Sequence, residues 1–349
     1  MSESSAKGPL RVLVVDDSAF NRRSISDILT TDPNIEVIGK AADGEEALRL
    51  IATLRPDVIT LDLEMPRMDG FTFLRILMTK MPLPVIVVSS YSQKENVFKA
   101  LELGALDFIA KPDRYIDPDL VGLREDLVRK VQLARSVRSA QARKMPEFPS
   151  RPIESKQPAA GPPRHVVAVA SSTGGPSAII ELFAKLPRAF ASALVIAQHM
   201  PDKFTRTFAE RLDRRGPLRT AEAADGDAVE AGTAFVCPGR QCMEVEMGPK
   251  GYRIRLKSPD ESDRYVPSAD RLMRSVARAA GRRAVGVVLT GMGDDGLQGA
   301  RAIVEAGGIV VAESEESAVV YGMPGAVVRA GLASMSLPLA DLGEWLSHL

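Results

Sequence analysis

The 349 residues exceed one ordinary domain and suit two. Lys and Arg together number 45, as do Asp and Glu, so no basic excess favours nucleic acid or an anionic membrane as the main partner. The N-terminus lacks the apolar core of a signal peptide, and no apolar run is long enough to cross a bilayer. With only two cysteines, Cys237 and Cys242, which we interpret as structural, the sequence predicts a cytoplasmic protein without membrane insertion.

Strand and helix patterns alternate five times in the first domain, residues 1–130. This alternation predicts a (βα)5 fold with a parallel sheet. Ser18 is placed to cap the first helix. The predicted strands are residues 11–15, 36–39, 57–61, 84–88 and 107–110.

The ends of these strands carry polar residues, namely Asp16, Asp17, Asp62, Ser89 and Lys111. In a parallel sheet the carboxyl ends lie along one edge, so these side chains are expected to meet there. Neighbouring carboxylates repel one another unless a cation is bound, and oxygen ligands favour Mg²⁺. One acidic residue at a strand end is more simply a helix cap, but three with a serine and a lysine favour a phosphoryl site.

These motifs resemble those of a response-regulator receiver domain. The matching segments are Val-Val-Asp16-Asp17-Ser, Leu-Asp62-Leu-Glu-Met-Pro-Arg-Met-Asp-Gly, Val-Ser89-Ser and Lys111-Pro112. The resemblance implies phosphorylation at Asp62 and Mg²⁺ held by Asp16, Asp17 and Asp62. It also implies switch roles for Ser89, Lys111 and Phe108, although a buried Phe alone would read as core.

Residues 131–163 are predicted to form an interdomain linker, because proline is dense and hydrophobicity is low. A helical pattern over 123–142 runs into this segment. Its basic stretch, Arg135 to Lys144, is interpreted as a solvated face, with docking of an acidic partner as the alternative.

The second domain, residues 164–349, is predicted to be doubly wound and mainly parallel. Residues 218–257 differ, since short strand patterns at 234–239, 243–247 and 252–256 are separated by turns. Gly248-Pro-Lys-Gly251 resembles a hairpin tip, so we expect an antiparallel insertion here.

Three predicted strand ends of this domain carry residues suited to acyl transfer: Ser171-Ser172, His199 and Asp294-Asp295. Such residues can converge at one sheet edge, with the histidine taking the serine proton and an acid orienting the histidine. Each has a simpler reading alone, as a phosphate-binding turn, a turn-bonded histidine or a helix cap. Their coincidence favours catalysis.

The second domain also resembles the catalytic domain of the chemotaxis protein-glutamate methylesterase, the CheB family. The resemblance is carried by Ser172-Thr-Gly-Gly, Gln-His199-Met-Pro, Pro-Ser-Ala-Asp270, Leu-Thr-Gly-Met292-Gly-Asp-Asp295-Gly and Val-Tyr-Gly-Met-Pro-Gly. It implies Ser172 as nucleophile, His199 as general base, Asp295 as the acid and the Met292 N–H as oxyanion donor. The family often has Gly-Ala before the serine where this chain has Ala170-Ser171, but only Ser172 is followed directly by Thr-Gly-Gly.

The two resemblances together imply a phosphorylation-activated hydrolase that demethylates glutamyl methyl esters on methyl-accepting chemoreceptors and deamidates certain glutamines. They imply a chemotaxis histidine kinase as phosphodonor, a receiver that covers the catalytic edge until Asp62 is phosphorylated, and no cofactor for the esterase. A non-catalytic signalling adaptor and a DNA-binding output are the alternatives; zero net charge and the lack of a helix-turn-helix pattern argue against the second. No Gly-x-Gly-x-x-Gly follows either opening strand, which disfavours a dehydrogenase.

Overall fold

The structure, a computed structural model, describes residues 8–90, 94–111, 120–135 and 161–349. The chain forms two compact units, with the described residues up to Arg135 in the first and those from Gly161 onward in the second. Within the described residues, no helix has the length and apolar character needed to cross a membrane. Most of the segment predicted to be the linker, including most of its basic stretch, lies outside the described residues.

The first unit is built on a five-stranded parallel sheet with the strand order β2-β1-β3-β4-β5. The strands are β1 (Leu10–Val15), β2 (Ile35–Ala41), β3 (Val58–Leu61), β4 (Val85–Ser90) and β5 (Asp107–Lys111). The helices are α1 (Ala19–Leu29), α2 (Gly44–Leu54), α3 (Gly70–Lys80), α4 (Lys94–Glu102) and α5 (Leu120–Leu133). The predicted (βα)5 fold is confirmed, and Ser18 caps α1 by accepting a hydrogen bond from the Asn21 N–H.

A buried lysine joins α5 to the end of the sheet. Lys130 Nζ donates to the carbonyl oxygen of Phe108 at 2.6 Å and lies 3.3 Å from Asp107 Oδ1 and 3.5 Å from Asp126 Oδ2. Burial acts to lower the pKa of Lys130, but the two carboxylates outweigh it and raise the pKa above its ordinary value. The ammonium is therefore charged and paired, which fixes β5 against α5.

The second unit is built on a seven-stranded parallel sheet with the order β14-β13-β12-β6-β7-β9-β8. Its strands are β6 (Val166–Ser171), β7 (Ala193–Gln198), β8 (Arg219–Glu222), β9 (Thr233–Val236), β12 (Ala284–Val288), β13 (Ile309–Glu313) and β14 (Met335–Leu337). From β6 the chain first builds one half of the sheet with β7, β8 and β9. It then returns to the opposite side of β6, where β12, β13 and β14 form the other half. This reversal is the topological switch point where open α/β sheets place their sites.

Seven helical segments accompany this sheet. They are α6 (Gly175–Lys185), α7 (Asp202–Arg215), α8 (Ala269–Ala280), a 3₁₀ turn (Gly281–Arg283), α9 (Leu297–Glu305), α10 (Met323–Arg329) and α11 (Leu339–Ser347). One face of the core joins β6, β7 and β12 with apolar residues of α8, including Leu272, Met273 and Val276. Helix α8 is thus held rigidly beside the central strands.

The predicted antiparallel insertion is confirmed for one hairpin, β10 (Cys242–Gly248) with β11 (Gly251–Lys257). It was wrong for the strand pattern at 234–239, because β9 pairs in parallel with both β7 and β8. The physical reason is burial: all four residues of β9 are buried, as expected for a strand inside a parallel sheet. A short isolated strand pattern does not by itself reveal its partner.

Replacing Lys130 by Met is expected to destabilise β5, because it leaves the buried Asp107 carboxylate without its cation. Breaking a buried pair in this way costs about 3 kcal/mol or more, equivalent to a roughly hundredfold faster amide exchange by local opening. Hydrogen exchange of the Asp107–Lys111 amides measures this directly. The matched control is Lys80→Met at an exposed position; equal exchange in the two variants would contradict the role given to Lys130.

Candidate active site and phosphoacceptor pocket

Ser172 lies directly after β6, at the start of the turn that leads into α6. Its N–H donates to the Thr290 carbonyl oxygen at 3.0 Å, and its own carbonyl oxygen accepts from the Gly175 N–H at 2.8 Å. Gly174 precedes α6 with φ +78°, the left-handed conformation that glycine adopts without strain. The backbone of Ser172 is therefore fixed at the positive end of a helix.

The two adjacent serines have different environments. Ser171 is fully buried, and its hydroxyl donates to Gln198 Oε1 at 2.6 Å. Ser172 is only partly buried. Of the two hydroxyls, the one on Ser172 is thus accessible to a substrate.

Gln198, at the end of β7, links the strand ends that carry the serine and the histidine. Its Nε2 donates to the carbonyl oxygens of Ser172 and His199, each at 2.9 Å. A Cβ on Gly175 would lie 2.1 Å from Gln198 Oε1, so only glycine leaves room for this amide. Gln198 has no predicted role. The signal in the sequence is an amide residue that follows an apolar strand pattern and directly precedes His199.

His199 and Asp295 form a direct pair, since His199 Nε2 lies 2.8 Å from Asp295 Oδ2. A carboxylate accepts a hydrogen bond, so His199 Nε2 is the donor in this pair. The His199 side chain is 16% exposed and the Asp295 side chain 2%. One ring nitrogen is therefore oriented and the other is available as a base.

Asp295 is held by the N-terminus of α8. Its Oδ2 accepts from the Ala269 N–H at 2.8 Å, and its Oδ1 accepts from the N–H groups of Asp270 at 2.9 Å and Gly296 at 3.0 Å. Free N–H groups and the dipole at a helix N-terminus stabilise a carboxylate. The neighbouring Asp294 is 48% exposed and makes none of these bonds, so it is Asp295 that can orient the histidine.

The loop after β12 lies against Ser172. A Cβ on Gly291 would lie 2.9 Å from Ser172 Cβ, so this glycine allows the two segments to approach closely. The side chain of Met292 is 39% exposed. Among the described residues, none accepts a hydrogen bond from the Met292 N–H, whereas the N–H of Ser172 donates to Thr290.

Asp270, quoted in the sequence motif, serves structure beside the site. Its Oδ1 accepts from the Gly299 N–H at 2.8 Å, which joins α8 to α9. Burial raises the pKa of Asp270 above its ordinary value, and the charge of Asp295 adds to this effect.

A buried glutamate, Glu313 at the end of β13, binds the loop that follows β12. Glu313 Oε2 accepts from the Thr290 N–H at 2.7 Å, and Oε1 accepts from Ser317 Oγ at 2.9 Å. Burial raises the pKa of Glu313 to about 7. We did not predict this residue, because an acid at the end of an apolar strand has no distinguishing motif.

The two cysteines do not contribute reactive thiolates. Cys237 and Cys242 are buried and free of disulfide bonding. Burial raises the pKa of both, in the case of Cys242 to about 11. Both thiols are thus protonated at neutral pH.

In the first unit the predicted carboxylates converge. Oxygen atoms of Asp16, Asp17 and Asp62 all lie within 4.8 Å of one another. Asp62 Oδ1 accepts from the Leu63 N–H at 2.7 Å. Burial raises the pKa of Asp62, and Asp16 adds to the effect while Lys111 opposes it. Three hard oxygen donors at this spacing fit a divalent cation such as Mg²⁺.

Lys111 closes this pocket. Its Nζ donates to Asp16 Oδ2 at 2.8 Å and to Asp62 Oδ2 at 2.6 Å. Ser89 is fully buried near the carboxyl end of β4, beside β5 in the sheet. Phe108 is buried at 2% exposure and packs edge-on against Phe98, with ring centroids 6.2 Å apart. The site residues predicted in this unit therefore lie at the ends of, or within, adjacent strands.

The two units together define a class of protein: a (βα)5 unit with an acidic cluster at its strand ends, followed by a parallel α/β unit that carries a His–Asp pair. The family model for the response regulator receiver domain matches residues 12–117, and that for CheB methylesterase matches residues 167–346. The chain belongs to the CheB methylesterase family.

Its relatives match over almost their entire length. A protein-glutamate methylesterase/protein-glutamine glutaminase from Myxococcus xanthus is 48% identical, covering 99% of this chain and 98% of the relative. One from Bacillus subtilis is 44% identical, covering 93% of each. The crystal structure of the Thermotoga maritima CheB methylesterase catalytic domain is 34% identical, with a TM-score of 0.51, covering 53% of this chain and 97% of that one.

Glu313 generates a pH-dependent prediction. Its ordinary pKa is 4.5 and its folded-state pKa is about 7, so the folded protein holds the proton more tightly. The resulting stabilisation of the folded state is fully present below the unfolded-state pKa of 4.5 and is lost as the pH rises through about 7. The loss in the free energy of unfolding is about 3 kcal/mol. Glu313→Gln cannot ionise and should lack this loss.

The single tryptophan, Trp345 in α11, reports thermal unfolding of the second unit. The unfolding midpoint of the wild type should fall more between about pH 5 and pH 8 than that of Glu313→Gln. Glu305→Gln, at an exposed position, is the control and should behave as the wild type. An identical pH dependence in all three proteins would refute the role of Glu313.

Proposed function

We propose that this protein is a phosphorylation-activated hydrolase that demethylates glutamyl methyl esters, and deamidates certain glutamines, on cytoplasmic signalling domains of chemoreceptors. The observation that carries the proposal is the His199–Asp295 pair, 2.8 Å apart, with the partly exposed Ser172 following the neighbouring strand β6. The names of the relatives support the choice of ester and amide.

In the first step Ser172 Oγ attacks the carbonyl carbon of the glutamyl ester, and His199 Nδ1 takes the hydroxyl proton. The negative charge passes to the former carbonyl oxygen, where the Met292 N–H and the N-terminus of α6 stabilise it. The ester C–O bond then breaks, and the imidazolium returns the proton to the departing methoxide. Methanol leaves, and a glutamyl ester of Ser172 remains.

In the second step a water molecule attacks the carbonyl carbon of the glutamyl ester on Ser172. His199 removes a proton from this water molecule as it attacks. The bond to Ser172 Oγ breaks, the serine regains its proton, and the receptor is left with a free carboxylate. Glutamine follows the same route, with ammonia as the leaving group. Asp295 stays ionised throughout and stabilises the imidazolium formed in each step.

The receiver unit is proposed to control access. Asp62 would accept a phosphoryl group from a chemotaxis histidine kinase, with Mg²⁺ held by Asp16, Asp17 and Asp62 neutralising charge there when bound. Lys111 and Ser89 would bind the phosphoryl oxygens. Phe108 would act as the aromatic switch residue. Without phosphate the receiver unit would keep the hydrolase activity low. The observation that supports phosphorylation at Asp62 is the pocket built around it.

The test is methanol release from methyl-labelled receptor membranes, with and without a small phosphodonor and Mg²⁺. The wild type should release methanol and the phosphodonor should accelerate it. Ser172→Ala should reduce release to background, because it removes the hydroxyl proposed to attack the ester. Ser171→Ala is the matched control and should retain release, since its hydroxyl serves the bond to Gln198.

Asp62→Asn should leave basal release intact and abolish its stimulation by the phosphodonor. Two results would refute the proposal: release that persists in Ser172→Ala, or no release from the wild type once phosphorylation of Asp62 is confirmed. The second result would favour a non-catalytic adaptor.

A further inference from the structure

An aromatic ring that the triad does not include covers the catalytic histidine. The ring of Tyr265 stacks on that of His199, with centroids 5.1 Å apart and an angle of 9° between the planes. Tyr265 lies in the loop between β11 and α8 and lines a cavity of about 520 Å³ together with Asp295. One face of the imidazole is thus occupied by protein.

The hydroxyl end of Tyr265 is seated against the loop that carries Asp295. Tyr265 Oη lies 3.4 Å from Asp294 Oδ1 and is placed to donate to it. Gly293 has φ +85°, and a Cβ there would lie 2.5 Å from Tyr265 Oη, so the ring fills the space that this glycine leaves. Burial and the Asp294 charge raise the pKa of Tyr265, which keeps the phenol protonated as a donor.

The loop itself is fixed at its base by Arg271 of α8. Arg271 Nη1 donates to Asp263 Oδ2 at 2.7 Å and to Asp260 Oδ2 at 3.2 Å, and its Nε donates to Glu244 Oε1 at 2.6 Å. The Arg264 guanidinium lies 5.4 Å from the centre of the Tyr265 ring. Tyr265 is therefore held from its loop, its hydroxyl and its ring.

We propose that Tyr265 is a positioning residue for the general base of the reaction proposed above, on which this inference rests. Asp295 fixes only Nε2, which leaves the imidazole free to tilt about that bond. Stacking against Tyr265 restricts this tilt, so the plane of the imidazole is held while Asp295 holds Nε2. The electron-rich ring face also favours the imidazolium that forms as the proton moves.

This role separates the ring of Tyr265 from its hydroxyl. Leucine at this position keeps apolar volume but removes the aromatic face, whereas phenylalanine keeps the face and loses only the bond to Asp294. Since base positioning matters in the transition state and not in substrate binding, Tyr265→Leu should lower kcat by about tenfold or more with KM changed by less than about threefold. Tyr265→Phe should keep kcat within about threefold of the wild type.

The experiment measures methanol release by the phosphodonor-activated full chain for the wild type, both Tyr265 variants and Ser172→Ala. Loss in Tyr265→Leu with rescue by Phe supports the proposal. Wild-type kcat in Tyr265→Leu, or an equal loss in both variants, overturns it. The wild type and Ser172→Ala show separately whether the proposed function fails. No release from the wild type, or full release from Ser172→Ala, would mean that the proposed function itself is wrong.

A spectroscopic readout gives the stacking its own test. The chain has three histidines, so the imidazole NMR signals of His199 can be assigned with a His199→Gln variant. The ring-current shift from Tyr265 should be present in the wild type and in Tyr265→Phe. Its absence from both would overturn the proposal even if Tyr265→Leu does not fold.

Discussion

The carboxylate of Asp295 is the constraint on which the geometry of the proposed triad depends. It accepts three backbone N–H bonds, two of them from the first turn of α8, and one bond from His199. These backbone N–H groups take the place of water around the buried carboxylate of Asp295 and stabilise it next to His199. If Asp295 and His199 act as proposed, the position of α8 over the central strands matters for catalysis as well as for packing, since moving the helix would move Asp295 and then His199.

The remaining contacts hold three strand ends at fixed distances from one another. Gln198 binds the carbonyl oxygens of Ser172 and His199, so the nucleophile and base strands cannot separate without breaking a buried amide. Thr290 accepts from the Ser172 N–H and is itself held by Glu313. Each link uses a buried polar group that has a partner, which gives a defined geometry at the cost of tolerance to substitution.

Most of the architecture was predictable, because both sheets are parallel and their strands are continuous apolar runs that end in polar residues. Asp16, Asp62 and Lys111 were recognisable because parallel strand ends must share an edge. The motif Ser172-Thr-Gly-Gly already favoured Ser172 over Ser171, and the contact of the Ser171 hydroxyl with Gln198, which a strand pattern does not contain, supports that choice. Strand β9 was misassigned because a short apolar segment does not specify whether its neighbour is parallel or antiparallel. Tyr265 and Glu313 act through neighbours distant in sequence, so no local pattern marks them.

The most direct test of the triad is covalent labelling by a fluorophosphonate, followed by peptide mass spectrometry in the wild type and in Asp295→Asn. This reagent reports the activated serine itself, independently of receptor binding. The proposed triad predicts one adduct, on Ser172, formed at least about a hundredfold more slowly in Asp295→Asn, because the histidine loses its orienting carboxylate. An adduct on Ser171, or labelling of Asp295→Asn at the wild-type rate, would contradict it.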